Sequence, residues 1–330
     1  MTGRDLAIRY GFLVLMLGLV AVFGLTARGF LSVPSAVFIL QSVAITGILA
    51  LGVTCTLVVG GFDLSIGAVA TSALMLSAYV MVVWGMGAVA AVTLCLLMGA
   101  AVGLVNGLLI VAMRVPDLLA TLGMMFVLLG LQRIPTEGNS IATGMALPDG
   151  TVAEGTFSAA FLALGRYRFA DVLPVSVVVL LVIAVAIWAF LELTRHGRLM
   201  YAIGSNAQAA ALAGADVDRY KVGAYVISGV LASAGGILLA ARLGRGDVAS
   251  GNNLLLDSVA AALIGYAVLG ASKPNAFGTA VGALFVGILL QGLTMLNAPY
   301  YTQDFVKGAV LVTALVFTFA LTGRGARARA

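Results

Sequence analysis

The stretch Thr56-Leu57-Val58-Val59-Gly60-Gly61-Phe62-Asp63-Leu64-Ser65 decides how this chain is built. It joins two long apolar runs and places a glycine pair, an acid and a hydroxyl between them. Glycine lets a backbone turn or lets another segment approach closely. A carboxylate at or near membrane depth is costly unless satisfied, which marks Asp63 as functional by default.

The composition around that stretch sets the class. The chain has 330 residues, of which 62% are hydrophobic and 9% charged, with a mean hydropathy of +1.13. A soluble domain carries about 25% charged residues, so water-facing side chains cannot cover this one. Strand alternation is absent, and the apolar runs suit helices of about 20 residues. Helices satisfy their own backbone in lipid. The chain therefore reads as an all-α integral membrane protein in the lipid bilayer, a single transmembrane domain over 1–330.

Helices are expected near 6–27, 35–59, 62–83, 87–112, 116–134, 172–193, 221–243, 256–271, 276–297 and 303–322. The third and eighth open on polar or Gly-rich edges and are expected to be broken or re-entrant. The first apolar run exceeds the roughly 7–15 residues of a signal-peptide core, so it reads as a retained helix. Cys55 and Cys95 lie in apolar runs and read as small buried residues. His196, the single histidine, stands in a polar loop and cannot form a metal cluster alone.

The net charge of +5 raises the question of nucleic acid, but no basic stripe exists. The cations collect in short loops, the pattern of membrane orientation. With the N-terminus in the cytoplasm, the inner group is Arg4, Arg9, Arg114, Arg195, Arg198, Arg219, Lys221, Lys273, Arg324, Arg327 and Arg329. The outer group is Arg28, Arg133, Arg166, Arg168, Arg242, Arg245 and Lys307. Both termini then lie in the cytoplasm, loop 135–171 is external and loop 194–220 is internal. Arg324, Arg327 and Arg329 read as an anchor at anionic headgroups.

Gly99, Gly103 and Gly107 recur at every fourth position, as do Gly278 and Gly282, which lets helices approach closely. The halves also resemble each other weakly. Each has a Gly-interrupted segment (Gly60-Gly61 and Gly265 to Gly270), a pointer to a transport path.

Several chemistries are missing. None of the three lysines follows a glycine, so no Gly-x4-Gly-Lys phosphate loop exists. The chain is not expected to be an enzyme, and no Ser-His-Asp set or His-Glu-x-x-His stands in it. No acid falls mid-span, since Asp63, Asp117, Glu192, Asp257 and Asp304 all lie near ends. That disfavours an ion- or proton-coupled secondary transporter, the alternative reading, because such carriers keep ionisable groups in the core. A channel is less favoured, since no filter-like motif stands out.

The internal loop has a structure of its own. Ser205 or Asn206 can cap a helix start, Ala207 to Ala213 are strong helix formers, and Gly214 suits the left-handed position that ends a helix. A two-turn helix results, flanked by Arg198, Arg219 and Lys221, and able to enter a groove on a partner.

The chain resembles the permease subunit of ribose-type monosaccharide ABC importers, proteins of the bacterial inner membrane. Gly60-Gly61-Phe62-Asp63-Leu64-Ser65-Ile66-Gly67 is similar to the family's Gly-Gly-Ile-Asp-Leu-Ser-Val-Gly. Asn106-Gly107-Leu108, Val115-Pro116, Ala120-Thr121-Leu122-Gly123-Met124, Tyr201 to Asn206 with Ala210, Leu212, Gly214 and Arg219, and Phe305-Val306-Lys307-Gly308 follow in order. The resemblance implies a type II ABC importer-like bundle of about ten transmembrane helices with broken or re-entrant segments. It implies import of a monosaccharide or related small polar solute by alternating access. It also implies two ABC ATPase subunits that use ATP, a periplasmic solute-binding protein and a second permease copy, identical or not. This chain is expected to bind no cofactor, metal or nucleic acid.

The resemblance makes 194–220 a coupling loop, with Arg198, Gly204, Ser205, Asn206, Gln208, Leu212, Gly214 and Arg219 as its working residues. Gln41, Asp63, Ser65, Asn106, Thr121, Gln132, Gln291 and Asn297 are polar groups suited to line or gate a path, with Ser42 beside them. For Asp63, a helix cap on the segment after it is the expected local role. One departure stands at Gly265 to Asn275, where the family's Gly-Gly-Thr-Ser-Leu-x-Gly-Gly-Arg-Gly-Ser keeps only Gly265, Leu269 and a basic Lys273.

Overall fold

A computed structural model describes residues 3–147, 150–251, 253–265, 273–299, 301–309 and 312–313. The helices are α1 (Gly3–Thr26), α2 (Val33–Val58), α3 (Ile66–Ala78), α4 (Ala88–Val111), α5 (Asp117–Leu131), α6 (Ala159–Arg166), α7 (Val175–Trp188), α8 (Arg195–Ser205), α9 (Ala207–Leu212), α10 (Val217–Leu243), α11 (Leu254–Gly265) and α12 (Ala276–Met295). Residues 301–309 are helical as well. The C-terminal half of the expected eighth span, the end of the tenth and the Arg324–Arg329 tail lie outside the described residues.

Among the described residues, seven helical segments are long and apolar enough to cross a membrane. Val33–Val58, Ile66–Val83, Val217–Leu243 and Ala276–Met295 are mostly buried, while less than a third of Ala88–Val111, Asp117–Thr136 and Val175–Leu193 is buried. The protein is thus an all-α membrane protein whose core is α2, α3 and α10, with the other spans around it.

Glycine sets the tightest packing. A Cβ on Gly99 would strike the carbonyl of Gly229, one on Gly103 the carbonyl of Tyr225, and one on Gly107 would come 2.8 Å from Val222 Cα. The every-fourth-residue stripe of α4 therefore lies backbone to backbone on α10, as its spacing predicts. Gly278 and Gly282 do the same against Gly265 and Ala261 of α11.

Helix ends follow local chemistry. Ser32 caps α2, with Pro34 in its first turn. Asn275 caps α12 through a 2.6 Å bond from the Gly278 N–H. Gly244, at φ +69°, closes α10.

Three expectations need correction. The third span does not begin at residue 62: Gly60 (φ +76°) turns the chain, and helix resumes only at Ile66. Polar partners outside the chain segment take up the backbone groups between, so no helix is needed there. The stretch 135–171 is not a plain loop. It carries α6, capped by Ser158, and the strand Arg168–Phe169, which pairs antiparallel with Leu173–Pro174 just beyond it. Gly165 of α6 lies against the backbone at Ala241 and Arg242 of α10. The internal segment holds two helices rather than one, because Thr194 caps an earlier start and puts His196 on α8.

Candidate functional site

The α2–α3 break is closed by a buried polar network. Asp63 is 1% exposed. Its Oδ1 accepts the Ser65 N–H at 2.9 Å and the Ser65 hydroxyl at 2.6 Å, and its Oδ2 accepts the Ser228 hydroxyl of α10 at 2.7 Å. Asn106 of α4 donates Nδ2 to Ser65 Oγ at 2.9 Å. Its own Oδ1 is buried and has no hydrogen-bond partner among the described residues.

The first helical turn of α5 takes the remaining backbone. The Phe62 N–H donates to Asp117 Oδ2 at 2.7 Å, and the Leu64 N–H donates to Thr121 Oγ1 at 3.1 Å. Thr121 in turn donates to the Asp117 carbonyl at 2.8 Å. The Phe62 carbonyl accepts the Tyr225 hydroxyl of α10 at 3.4 Å. Non-helical backbone survives at such a place because α5 and α10 bond to it.

Three donors thus engage the two carboxyl oxygens of Asp63. All those donors point inward, so the arrangement fixes the break and does not present Asp63 to a solute. The expected cap role is corrected in detail: Asp63 binds the Ser65 N–H, one residue before the helix, and no side chain caps α3 itself. Beneath the break lies a cavity of about 310 Å³, lined by Val59, Gly60, Gly61, Arg114, Asp117, Lys221 and Tyr225 among others.

Of the expected path residues, the fold gathers Asp63, Ser65, Asn106 and Thr121. It disperses the rest. Gln41 donates to the Gly165 carbonyl at 3.5 Å, and Ser42 accepts from Arg242 at 3.3 Å. Gln132 meets the Ser72 hydroxyl at 3.4 Å. Gln291 is half-buried in α12, and Asn297 is exposed at φ +55° just beyond it. One shared lining of these residues is not present, because they stand on different faces and at different heights of the bundle. The reading missed Ser228 and Tyr225. Their signal was a pair of polar residues three apart on an otherwise apolar stretch of α10. It passed over Asp117 as a mere helix end.

The internal segment is the second feature. Asn206 caps α9, accepting the Ala209 N–H at 3.0 Å, and Gly214 at φ +87° terminates the turn after it. Arg198, Ser205, Gln208 and Arg219 are exposed, and Leu212 is 90% exposed. Gly204 lies at the end of α8, directly against Val58 and Gly60 of the break. Among the described residues, no group of three or more His, Cys, Asp or Glu side chains is placed to hold a metal ion.

A family model described as branched-chain amino acid transport system / permease component matches residues 35–315. The ribose import permease protein of Escherichia coli (strain K12) is 32% identical over 92% of this chain and 91% of its own. The xylose transport system permease protein of Haemophilus influenzae is 29% identical over 93% and 94%. The autoinducer 2 import system permease protein of Yersinia pseudotuberculosis is 30% identical over 92% and 83%. No solved structure matches.

Proposed function

We infer the function from a family premise: the chain belongs to the branched-chain amino acid transport system / permease component family. It is proposed to be the transmembrane permease subunit of an ATP-binding cassette importer that carries a monosaccharide or related small polar solute inward by alternating access. The observation that carries this reading is the likeness to sugar import permeases over nine-tenths of the chain.

In this reading ATP binds and is hydrolysed on two partner ATPase subunits, and this chain holds no cofactor. A periplasmic solute-binding protein delivers the solute, and a second permease copy completes the path. ATP-driven closure of the ATPases moves α9 and switches the bundle as rigid bodies. Segment 194–220 faces the cytoplasm, 135–171 the periplasm, and both termini are cytoplasmic. The grouping of cations supports that orientation. Arg114 and Lys221 line the cavity under the break, close to Gly204. Arg166 instead donates to the Arg242 and Leu243 carbonyls at the far end of α10.

The Asp63 network then serves as the fixed wall of a path between permease copies. The test is co-expression with the ATPase and binding protein encoded beside this chain. A complex that purifies together and imports the binding protein's calorimetrically identified ligand with ATP supports the reading. Import that persists without the ATPases and collapses with the membrane gradient overturns it.

A further inference from the structure

We propose that α8 is a lever that joins the α9 docking helix to the α2–α3 break and to the start of α12 at once; this rests on the coupling role of α9 given above. Two contacts on α8, one helical turn apart, carry the proposal.

The first is Gly204. A Cβ there would collide with the Val58 carbonyl and lie 3.2 Å from the Gly60 nitrogen, while a Cβ on Gly60 would lie 3.6 Å from Gly204 Cα. The end of α8 thus touches bare backbone of the α2–α3 break with no side chain between to absorb a shift. Packed backbone passes displacement on in discrete steps and does not yield gradually. From Gly60 the chain runs two residues to Phe62, whose N–H is tied to Asp117.

The second is Tyr201. Its hydroxyl donates to the Pro274 carbonyl at 2.8 Å and lies 3.2 Å from Glu192 Oε1. Lys273 bonds Glu192 at 2.9 Å and sits 4.3 Å from the Tyr201 ring centroid. Pro274 stands immediately before Asn275, the cap of α12. The same α8 face therefore holds the start of α12, just after the second Gly-interrupted segment. Ser205 ends α8 and Asn206 caps α9, so no linker separates lever from docking helix.

The experiment is hydrogen–deuterium exchange on the full complex in nanodiscs, nucleotide-free and trapped with Mg-ATP and vanadate. Wild type is expected to change exchange at 60–65 and at 273–278 by about fivefold or more, the lower range of allosteric coupling. Gly204→Ala, scored on the complex that still carries the ATPases, should lose the change at 60–65. Tyr201→Phe, which removes one hydroxyl and adds no bulk, should keep them bound and lose the change at 273–278. Wild-type changes in both variants overturn the lever. If Gly204→Ala does not yield folded protein, Tyr201→Phe decides alone by the same criterion. Failure of wild type to hold the ATPases would instead sink the importer reading on which the lever rests.

Discussion

Asp63 is wholly enclosed, and its side chain ties the break to α10. Three donors converge on its two oxygens. Replacing it by alanine leaves the Ser65 N–H and the Ser228 hydroxyl buried without that acceptor, at about 1–3 kcal/mol for each group left unmade. Asp63→Ala is therefore expected to loosen the break and to lower import into vesicles more than it lowers expression. Wild-type import by that variant would show that the network has no part in transport. The acid, the glycine pair and Ser65 were legible in the sequence because they are contiguous. Ser228 was not, since 165 residues separate it from Asp63 and only the packing of α10 brings it there.

At the scale of elements, backbone contact and capping separate substitutions that look alike. Gly103→Ala on α4 must displace the Tyr225 backbone of α10, and overpacking of this kind costs about 1–3 kcal/mol. Gly123→Ala on α5 meets nothing within 4 Å and should be neutral or mildly stabilising, since alanine is the better helix former by up to about 1 kcal/mol. Thermal unfolding in detergent is expected to rank Gly123→Ala at or above wild type and Gly103→Ala well below. Asn206→Ala removes the cap of α9 and costs that helix about 1 kcal/mol. Its expected effect is a lower yield of co-purified ATPase with the melting temperature of the permease unchanged; undiminished co-purification would separate α9 from docking. The stripe of α4 and the cap of α9 were readable because a repeat of four and an N-cap residue before a run of helix formers are local rules. The second helix of that segment, α8, was hidden because its apolar residues are few and its start rests on Thr194 alone.

For the whole molecule, the mostly buried α2, α3 and α10 and the less buried α4, α5 and α7 leave broad apolar faces for lipid. Orientation is checked by labelling with an impermeant maleimide, for which the buried Cys55 and Cys95 give no background. Leu212→Cys should react only when the cytoplasmic side is open to the reagent, and Val152→Cys, at a position 56% exposed, should react on intact spheroplasts. The opposite pattern would invert the assigned topology.

The sequence by itself determined the membrane class, most of the spans, the place of the break, the glycine packing stripe and the capped helix α9. Each depends on hydropathy or on residues within a turn or two of one another. Only the tertiary structure decided which polar residues meet. It drew Asp63, Ser65, Asn106 and Thr121 together with Ser228, Asp117 and Tyr225, and sent Gln41, Gln132, Gln291 and Asn297 elsewhere. It also set Gly204 against Gly60. The reason is geometric: contacts between residues 165 apart, as Asp63 and Ser228, or 200 apart, as Ser42 and Arg242, follow from how helices pack, and no local pattern records that.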